Sequence, residues 1–233
     1  MTTELPINTI IVAAGSSARF GTDKMLAPLG DLPVFLHSVR NFLPVSQRLV
    51  LVVPPGREED FAALARKHGL LTAQMSFVAG GDTRTDSVRQ GLQGLGDSAS
   101  GLVAIHDAAR PLASADLLLA LADLAAKTGG AAPAKPMTNT VLRTDDQNLV
   151  LEALSRENLW EIETPQVFVL PILQEAFAAL SGRNFTDDTQ VLMQNQGSVR
   201  LLHNPAPNPK LTFPQDLDFV AFLLTRVRDT HNA

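Results

Sequence analysis

"NTIIVAAGSSARFGTDK", residues 8–24, runs from an apolar segment straight into a small, basic loop. Asn8–Ala13 reads as a strand. The twelve residues from Ala13 to Lys24 hold two glycines, two serines, one arginine and one lysine. Gly and Ser are turn residues, and a plain turn would account for them. The same residues also set backbone N–H groups, Arg19 and Lys24 around the space an anion would fill. What the rest of the chain brings to this edge decides between the two.

Outward from this stretch, short apolar runs alternate with amphipathic ones. Thr9–Ala13, Leu49–Val53, Met75–Val78, Leu102–Ile105, Gln166–Val169 and Val199–Leu202 read as strands. Between them, Val34–Phe42, Glu58–Lys67, Thr85–Leu95, Ala115–Ala126, Ile172–Leu180 and Thr189–Gln194 have helical spacing, and a last helix begins near Pro214. Strands apolar on both faces, alternating with helices, predict an α/β fold with a mostly parallel sheet flanked by helices. With no internal repeat, low-complexity tract or linker, residues 1–233 read as one domain.

One segment breaks the rhythm. Thr140–Arg143 and Leu149–Leu154 flank the polar "TDDQN" with no crossover helix, which predicts a hairpin within residues 136–160. Such a hairpin either joins the sheet or projects as a β-arm. As an arm, its apolar Val141, Leu149, Val150, Leu151 and Leu154 need a partner surface, which points to a homodimer; packing against its own domain is the alternative. Trp160 reads as an anchor for this segment.

Composition narrows the function. A formal net charge of −5 argues against a general nucleic-acid binder, because phosphate-backbone affinity needs a basic face. Any phosphate site must be local. The chain has no cysteine, hence no disulfide, thiolate metal site or Cys nucleophile. No basic leader precedes an apolar run, and no apolar run approaches the roughly 18 residues of a membrane span. A cytoplasmic protein without a membrane partner is the expectation.

Ligands in open α/β sheets bind outside the carboxyl ends of the strands. The third strand is followed by "AGGDTRTDSVRQGL" (79–92), the fourth by "HDAARP" (106–111) and the sixth by "HNPAPNPKLTFPQD" (203–216); "ETPQ" (163–166) lies beside the fifth. A shared site explains this gathering more simply than unrelated turns. Each piece has a plainer reading. Gly80-Gly81 can be a turn, Asp107 a helix cap paired with Arg110, and Lys210 and Arg156 solvated cations. His106 suits a packed strand end better than a metal site, since no second histidine stands at ligand spacing. The chain lacks G-x-x-x-x-G-K-[ST], so a P-loop reading fails; the absence of G-x-G-x-x-G after the first strand weakens a dinucleotide-dependent oxidoreductase, and no G-x-S-x-G elbow supports an α/β-hydrolase.

In order and spacing, "AAGSSARFGTDK", "GGDTRTDSV", "VAIHDAARP", "APAKPMTNTVLR", "ENLWEIETPQVF", "TDDTQVL" and "NPKLTFPQDL" resemble the 2-C-methyl-D-erythritol 4-phosphate cytidylyltransferase family over nearly the whole chain. The resemblance implies a Rossmann-like nucleotidyltransferase fold with a projecting β-arm that clasps a second subunit. It implies a reaction of CTP with methylerythritol phosphate in isoprenoid biosynthesis, releasing pyrophosphate, with Mg²⁺. Carried over by position, Arg19 and Lys24 hold the triphosphate and stabilise the transition state, and Arg156 and Lys210 act from the polyol-phosphate side. Ala13, Ala14, Gly15 and Ser16 wrap the nucleotide; Gly81, Asp82 and Ser87 receive cytosine and ribose. Asp107 stands near the metal and the substrate hydroxyls, and Arg110, Thr140, Thr164 and Thr186 complete the acceptor side.

The family commonly has Pro-Lys-Gln where this chain reads Asp23-Lys24-Met25, and glycine where Ser17 stands. "GTDKML" also resembles molybdenum-cofactor guanylyltransferases, but "HDAARP" and "ETPQ" belong to the cytidylyltransferases. A cytidylyltransferase for another polyol phosphate, such as ribitol 5-phosphate, and a non-catalytic nucleotide-binding regulator are the other readings. A regulator would have no reason to keep cations for two phosphorylated substrates.

Overall fold

The computed structural model describes residues 3–15, 20, 21, 23–180 and 182–231, with backbone alone for 227–231. The chain runs through β1 (Ile7–Val12), a small hairpin of β2 (Pro28–Leu29) and β3 (Leu32–Pro33), α1 (Val34–Phe42), β4 (Arg48–Val53), α2 (Glu58–Lys67), β5 (Met75–Ala79), α3 (Arg84–Gly94), β6 (Leu102–Asp107) and α4 (Ala115–Thr128). It continues through β7 (Gly130–Pro136), β8 (Val141–Thr144), β9 (Val150–Leu154), β10 (Trp160–Ile162), β11 (Gln166–Val169), α5 (Leu170–Ala178), α6 (Asp188–Gln194), β12 (Arg200–His203) and α7 (Asp216–His231).

The main sheet has the order β10-β7-β11-β6-β1-β4-β5, with β12 also paired to β7. β5, β4, β1 and β6 are parallel, whereas β11 runs antiparallel to both β6 and β7. Successive side chains of a strand face opposite layers. In β1, Ile11 enters the core under α1, α2, α4 and α7, and Ile10 enters the core under α3, α5 and α6. Each is fully buried and contributes roughly 1.5–3 kcal/mol. These two cores hold the strand ends in fixed register: Val12 stands beside Asp107, and Gln166 beside Ile105.

The six strands expected from apolar runs are present, and the sheet is mostly parallel. Four further strands were not expected: β2, β3, β7 and β10. β7 is "GAAPAKP", whose residues have little β propensity, yet its Ala131, Ala132 and Ala134 are fully buried. Small residues are required there. A Cβ on Gly130 would stand 2.9 Å from Leu192 and 3.0 Å from Phe168.

β8 and β9 pair only with each other, with a register shift between Arg143 and Thr144. The Asp145 side chain closes the turn by accepting from the backbone N–H groups of Gln147 and Leu149, both at 2.9 Å. Leu142, Leu149, Val150 and Leu151 of this hairpin are exposed. Trp160 lies outside it, in β10, with its ring edge toward His203. Among the described residues, no helix is long and apolar enough to cross a membrane.

Candidate active site

The carboxyl ends of β1, β5 and β6 open onto one cavity of about 290 Å³, lined on three sides by loops. The β1 loop supplies Ala13, Ala14, Gly15, Lys24 and Met25; the loop after β5 and the start of α3 supply Gly81, Asp82, Thr83, Arg84 and Ser87. Asp107 ends β6, and Lys210 reaches in from the segment before α7. Ser16 and Arg19 lie outside the described residues.

Two glycines let the first two walls meet. A Cβ on Gly80 would fall 2.4 Å from Ala14 Cβ, and one on Gly81 would fall 2.4 Å from Asp86 Cβ. No side chain fits between the β1 loop and α3 at these points. The Gly81 N–H donates to Ser87 Oγ at 3.2 Å, and Thr83 caps α3 by accepting from the Asp86 N–H at 3.1 Å. Helix α3 therefore points its N-terminus, a favourable place for anions, at the cavity.

The Asp23-Lys24-Met25 departure has a local account. Asp23 Oδ1 accepts from the Met25 N–H at 3.1 Å, and Asp23 pairs with Arg57 at 3.5 Å. Met25 is buried in the core, while Lys24 lines the cavity and its Nζ donates to the Leu211 carbonyl at 3.3 Å. The aspartate makes the turn that sends the methionine inward and the lysine to the cavity.

Asp107 is the electrostatic centre. Its Oδ1 accepts from Arg84 Nε at 3.2 Å and its Oδ2 from Lys210 Nζ at 2.6 Å. Arg84 Nη2 is also 2.7 Å from the buried carboxylate of Asp188, at the start of α6. Burial pushes the Asp107 carboxyl up, but the charges of Arg84 and Lys210 outweigh it and hold it well below the usual carboxylate range. For Asp188, burial prevails over Arg84 and the carboxyl is raised. Burial opposes the Arg84 charge, yet Asp188 and Asp107 keep its pKa above the ordinary value. Asp107 is thus paired with Lys210 and Arg84 and not, as the local reading had it, with Arg110.

Arg110 faces a second cavity, of about 650 Å³, whose lining also includes Lys210, Lys135, Glu163 and Asn208. Arg110 Nη1 donates to the Asn208 carbonyl at 2.7 Å. Glu163 is buried, 3.2 Å from Lys135, and accepts from the side-chain amides of Asn204 (2.8 Å) and Asn208 (3.0 Å). Lys210 stands between the two cavities and belongs to both.

Behind Asp107 lies a buried polar layer. The Thr164 hydroxyl accepts from the Asp107 N–H at 3.1 Å and is 3.2 Å from His106 Nδ1. Burial drives the His106 imidazole down to about 3, so it is neutral near pH 7. Thr164 is buried and lines neither cavity. Because β11 runs antiparallel to β6, the residues ahead of β11 arrive beside the end of β6.

Three expected positions stand apart within this chain. Thr186 is exposed in the loop before α6, which is tied to α3 by the Phe185 N–H donating to Thr85 Oγ1 at 2.8 Å. Thr140 and Arg156 are exposed at the base of the hairpin, where Arg156 Nη1 donates to the Thr138 carbonyl. The sequence reading missed Arg84, Asp188, Glu163 and Asn208. Arg84 was the most accessible of these, as the first helical residue after "GGDT".

Among the described residues, no group of three or more His, Asp or Glu side chains could hold a metal ion. Two carboxylates, Asp82 and Asp107, line the first cavity; they are oxygen donors of the kind a hard cation takes, and both oxygens of Asp107 are paired with Arg84 and Lys210.

Comparison with known proteins agrees with this geometry. Residues 7–226 match the model of the 2-C-methyl-D-erythritol 4-phosphate cytidylyltransferase (IspD) family. A 2-C-methyl-D-erythritol 4-phosphate cytidylyltransferase of Porphyromonas gingivalis is 38% identical over 220 residues, covering 93% of this chain and 96% of its own. Among solved structures, 4-diphosphocytidyl-2C-methyl-D-erythritol synthase from Anaerococcus prevotii superposes with a TM-score of 0.81 at 25% identity, covering 95% of this chain and 96% of its own. The Thermus thermophilus cytidylyltransferase gives 0.76 at 27% identity, covering 95% and 100%.

Proposed function

The chain belongs to the 2-C-methyl-D-erythritol 4-phosphate cytidylyltransferase family, and on that footing we propose that it transfers the cytidylyl group of CTP to 2-C-methyl-D-erythritol 4-phosphate. The products are 4-diphosphocytidyl-2-C-methyl-D-erythritol and pyrophosphate, in the non-mevalonate route to isoprenoid precursors. A phosphate oxygen of the acceptor attacks the α-phosphorus in line, the bond to the β-phosphate oxygen breaks, and pyrophosphate leaves. No covalent enzyme intermediate is needed.

The task of such a site is to bring two polyanions together, so cations must offset both. The observation that supports this reading most is the place of Lys210, shared by two adjoining cavities, with Lys24 lining the first and Arg110 the second. In this reading Ala13, Ala14, Gly15, Ser16, Gly81, Asp82 and Ser87 hold the nucleotide in the first cavity. Lys24 and Arg19 stabilise charge on the triphosphate as the bond to pyrophosphate breaks. Lys210, Arg110, Asp107 and Thr186 address the acceptor, and Thr140 and Arg156 are delivered from the hairpin of a second subunit. A homodimer would cover the exposed Leu142, Leu149, Val150 and Leu151. Mg²⁺ would be held by triphosphate oxygens and Asp107, neutralising phosphate charge. In this reading the enzyme acts in the cytoplasm.

The test is pyrophosphate release by the purified chain with CTP and 2-C-methyl-D-erythritol 4-phosphate. Turnover with this pair is expected, with little from GTP or from ribitol 5-phosphate. Preference for GTP would replace the reading with a guanylyltransferase, and turnover with none of these would favour a regulator.

A further inference from the structure

The buried histidine behind the reaction centre is placed to control it at one remove. His106 is fully buried, with its ring edge-on to Phe42 at 4.8 Å between centroids. Its Nε2 lies 3.2 Å from the Arg110 carbonyl and 3.1 Å from Ser38 Oγ; its Nδ1 lies 3.2 Å from Thr164 Oγ1. A carbonyl oxygen can only accept, so Nε2 carries the proton. In the neutral ring Nδ1 is then bare, and the Thr164 hydroxyl must donate to it. The same hydroxyl oxygen accepts from the Asp107 N–H at 3.1 Å. Each proton in the chain Asp107–Thr164–His106–Arg110 therefore has one direction. Thr164 has no proton left for a substrate phosphate.

We propose that His106 is a positioning residue for cytidylyl transfer: it fixes the Thr164 hydroxyl as an acceptor toward the Asp107 amide and so sets the Asp107 carboxylate between Arg84 and Lys210. Thr164 acts through Asp107, not on the acceptor substrate. The segment is also held from its other side, since Asn208 Nδ2 donates to the Thr164 carbonyl at 2.9 Å. With hydroxyl and carbonyl both anchored, the orientation of Asp107 depends on the imidazole and not on thermal sampling of the Thr164 rotor.

The proposal rests on the cytidylyl-transfer reading above, and the experiment separates the two. His106→Phe keeps the ring against Phe42 and removes both nitrogens; His106→Asn restores an acceptor near Nδ1. In folded protein, His106→Phe should lower kcat about 10-fold or more with the KM for CTP within about two-fold, and His106→Asn should recover most of the loss. Thr164→Val should give a similar loss, and adding it to His106→Phe should cost little more, because the two act through one hydrogen-bond chain. An unchanged kcat in His106→Phe, a loss seen mainly in the KM for CTP, or additive losses would overturn the proposal. If the variants fail to fold, ¹⁵N NMR of wild-type His106 decides. A pyridine-type Nδ1 and pyrrole-type Nε2 are expected, and the reverse tautomer overturns it. A wild-type chain without turnover sinks the assigned reaction, whereas active wild type with fully active His106→Phe sinks only the role of His106.

Discussion

Replacing Arg84 by Ala should unsettle the protein more than the loss of any exposed charge. The Arg84 side chain is 21% exposed, and its two partners, Asp188 and Asp107, are 1% and 13% exposed. Removing the cation leaves Asp188 as a buried carboxylate without its partner. Breaking a buried pair from one side costs roughly 3–5 kcal/mol. Protonation of Asp188 and water entering from the adjoining cavity relieve part of this, which favours the lower end, about 3 kcal/mol. At about 2–4 °C per kcal/mol for a chain of this size, Tm should fall by roughly 6–12 °C in a calorimetric or circular-dichroism melt. Asp188→Asn keeps the side-chain shape and removes the stranded charge, so the double variant should regain about half of the loss or more. The pH dependence has a definite sign. The Asp188 carboxyl is already raised by burial, and loss of Arg84 raises it further. The folded state then takes up a proton before the unfolded state does, so Arg84→Ala should gain stability relative to wild type as pH falls from 7 toward 5, and lose it as pH rises. A Tm within about 2 °C of wild type, or no recovery from Asp188→Asn, would refute this account of the pair.

Lys24→Ala should lower kcat by roughly 10²-fold while CTP binding weakens much less, as expected of a charge that acts on the transition state; near-normal kcat would remove Lys24 from the mechanism. Activity should disappear in excess chelator and return with added Mg²⁺, and full activity in chelator would end the metal assignment. Inactive Arg156→Ala and Lys24→Ala subunits, mixed and reannealed, should regain up to about half of wild-type activity per heterodimer, since a site shared between subunits leaves one of the two intact. No rescue in proven heterodimers would place both residues in one subunit's site.

The strands β1, β4, β6 and β11 were legible because each buries apolar side chains, and a local apolar run carries that signal; β5, half-buried, and β12, mostly exposed, were legible from short apolar runs alone. The gathering of Gly15, Lys24, Gly81, Asp107 and Lys210 at one edge followed from the same runs, since parallel strands send their following loops to a common end. The strand β7 was not legible. Its alanines and Gly130 were selected by how closely Leu192 and Phe168 approach, a constraint that exists only once the layers are packed. The direction of β11 was hidden as well, because a run as short as Gln166–Val169, with three apolar residues, buries equally well in either orientation; its reversal is what brings Thr164 to His106 and Asp107. Nor could any local pattern assign Asp107 to Arg84 and Lys210, when Arg110 stands three residues away. Periodicity reports which face of an element avoids water. Which polar groups meet at the site depends on sheet order and strand direction, and these are set by backbone hydrogen bonds between segments far apart in the chain.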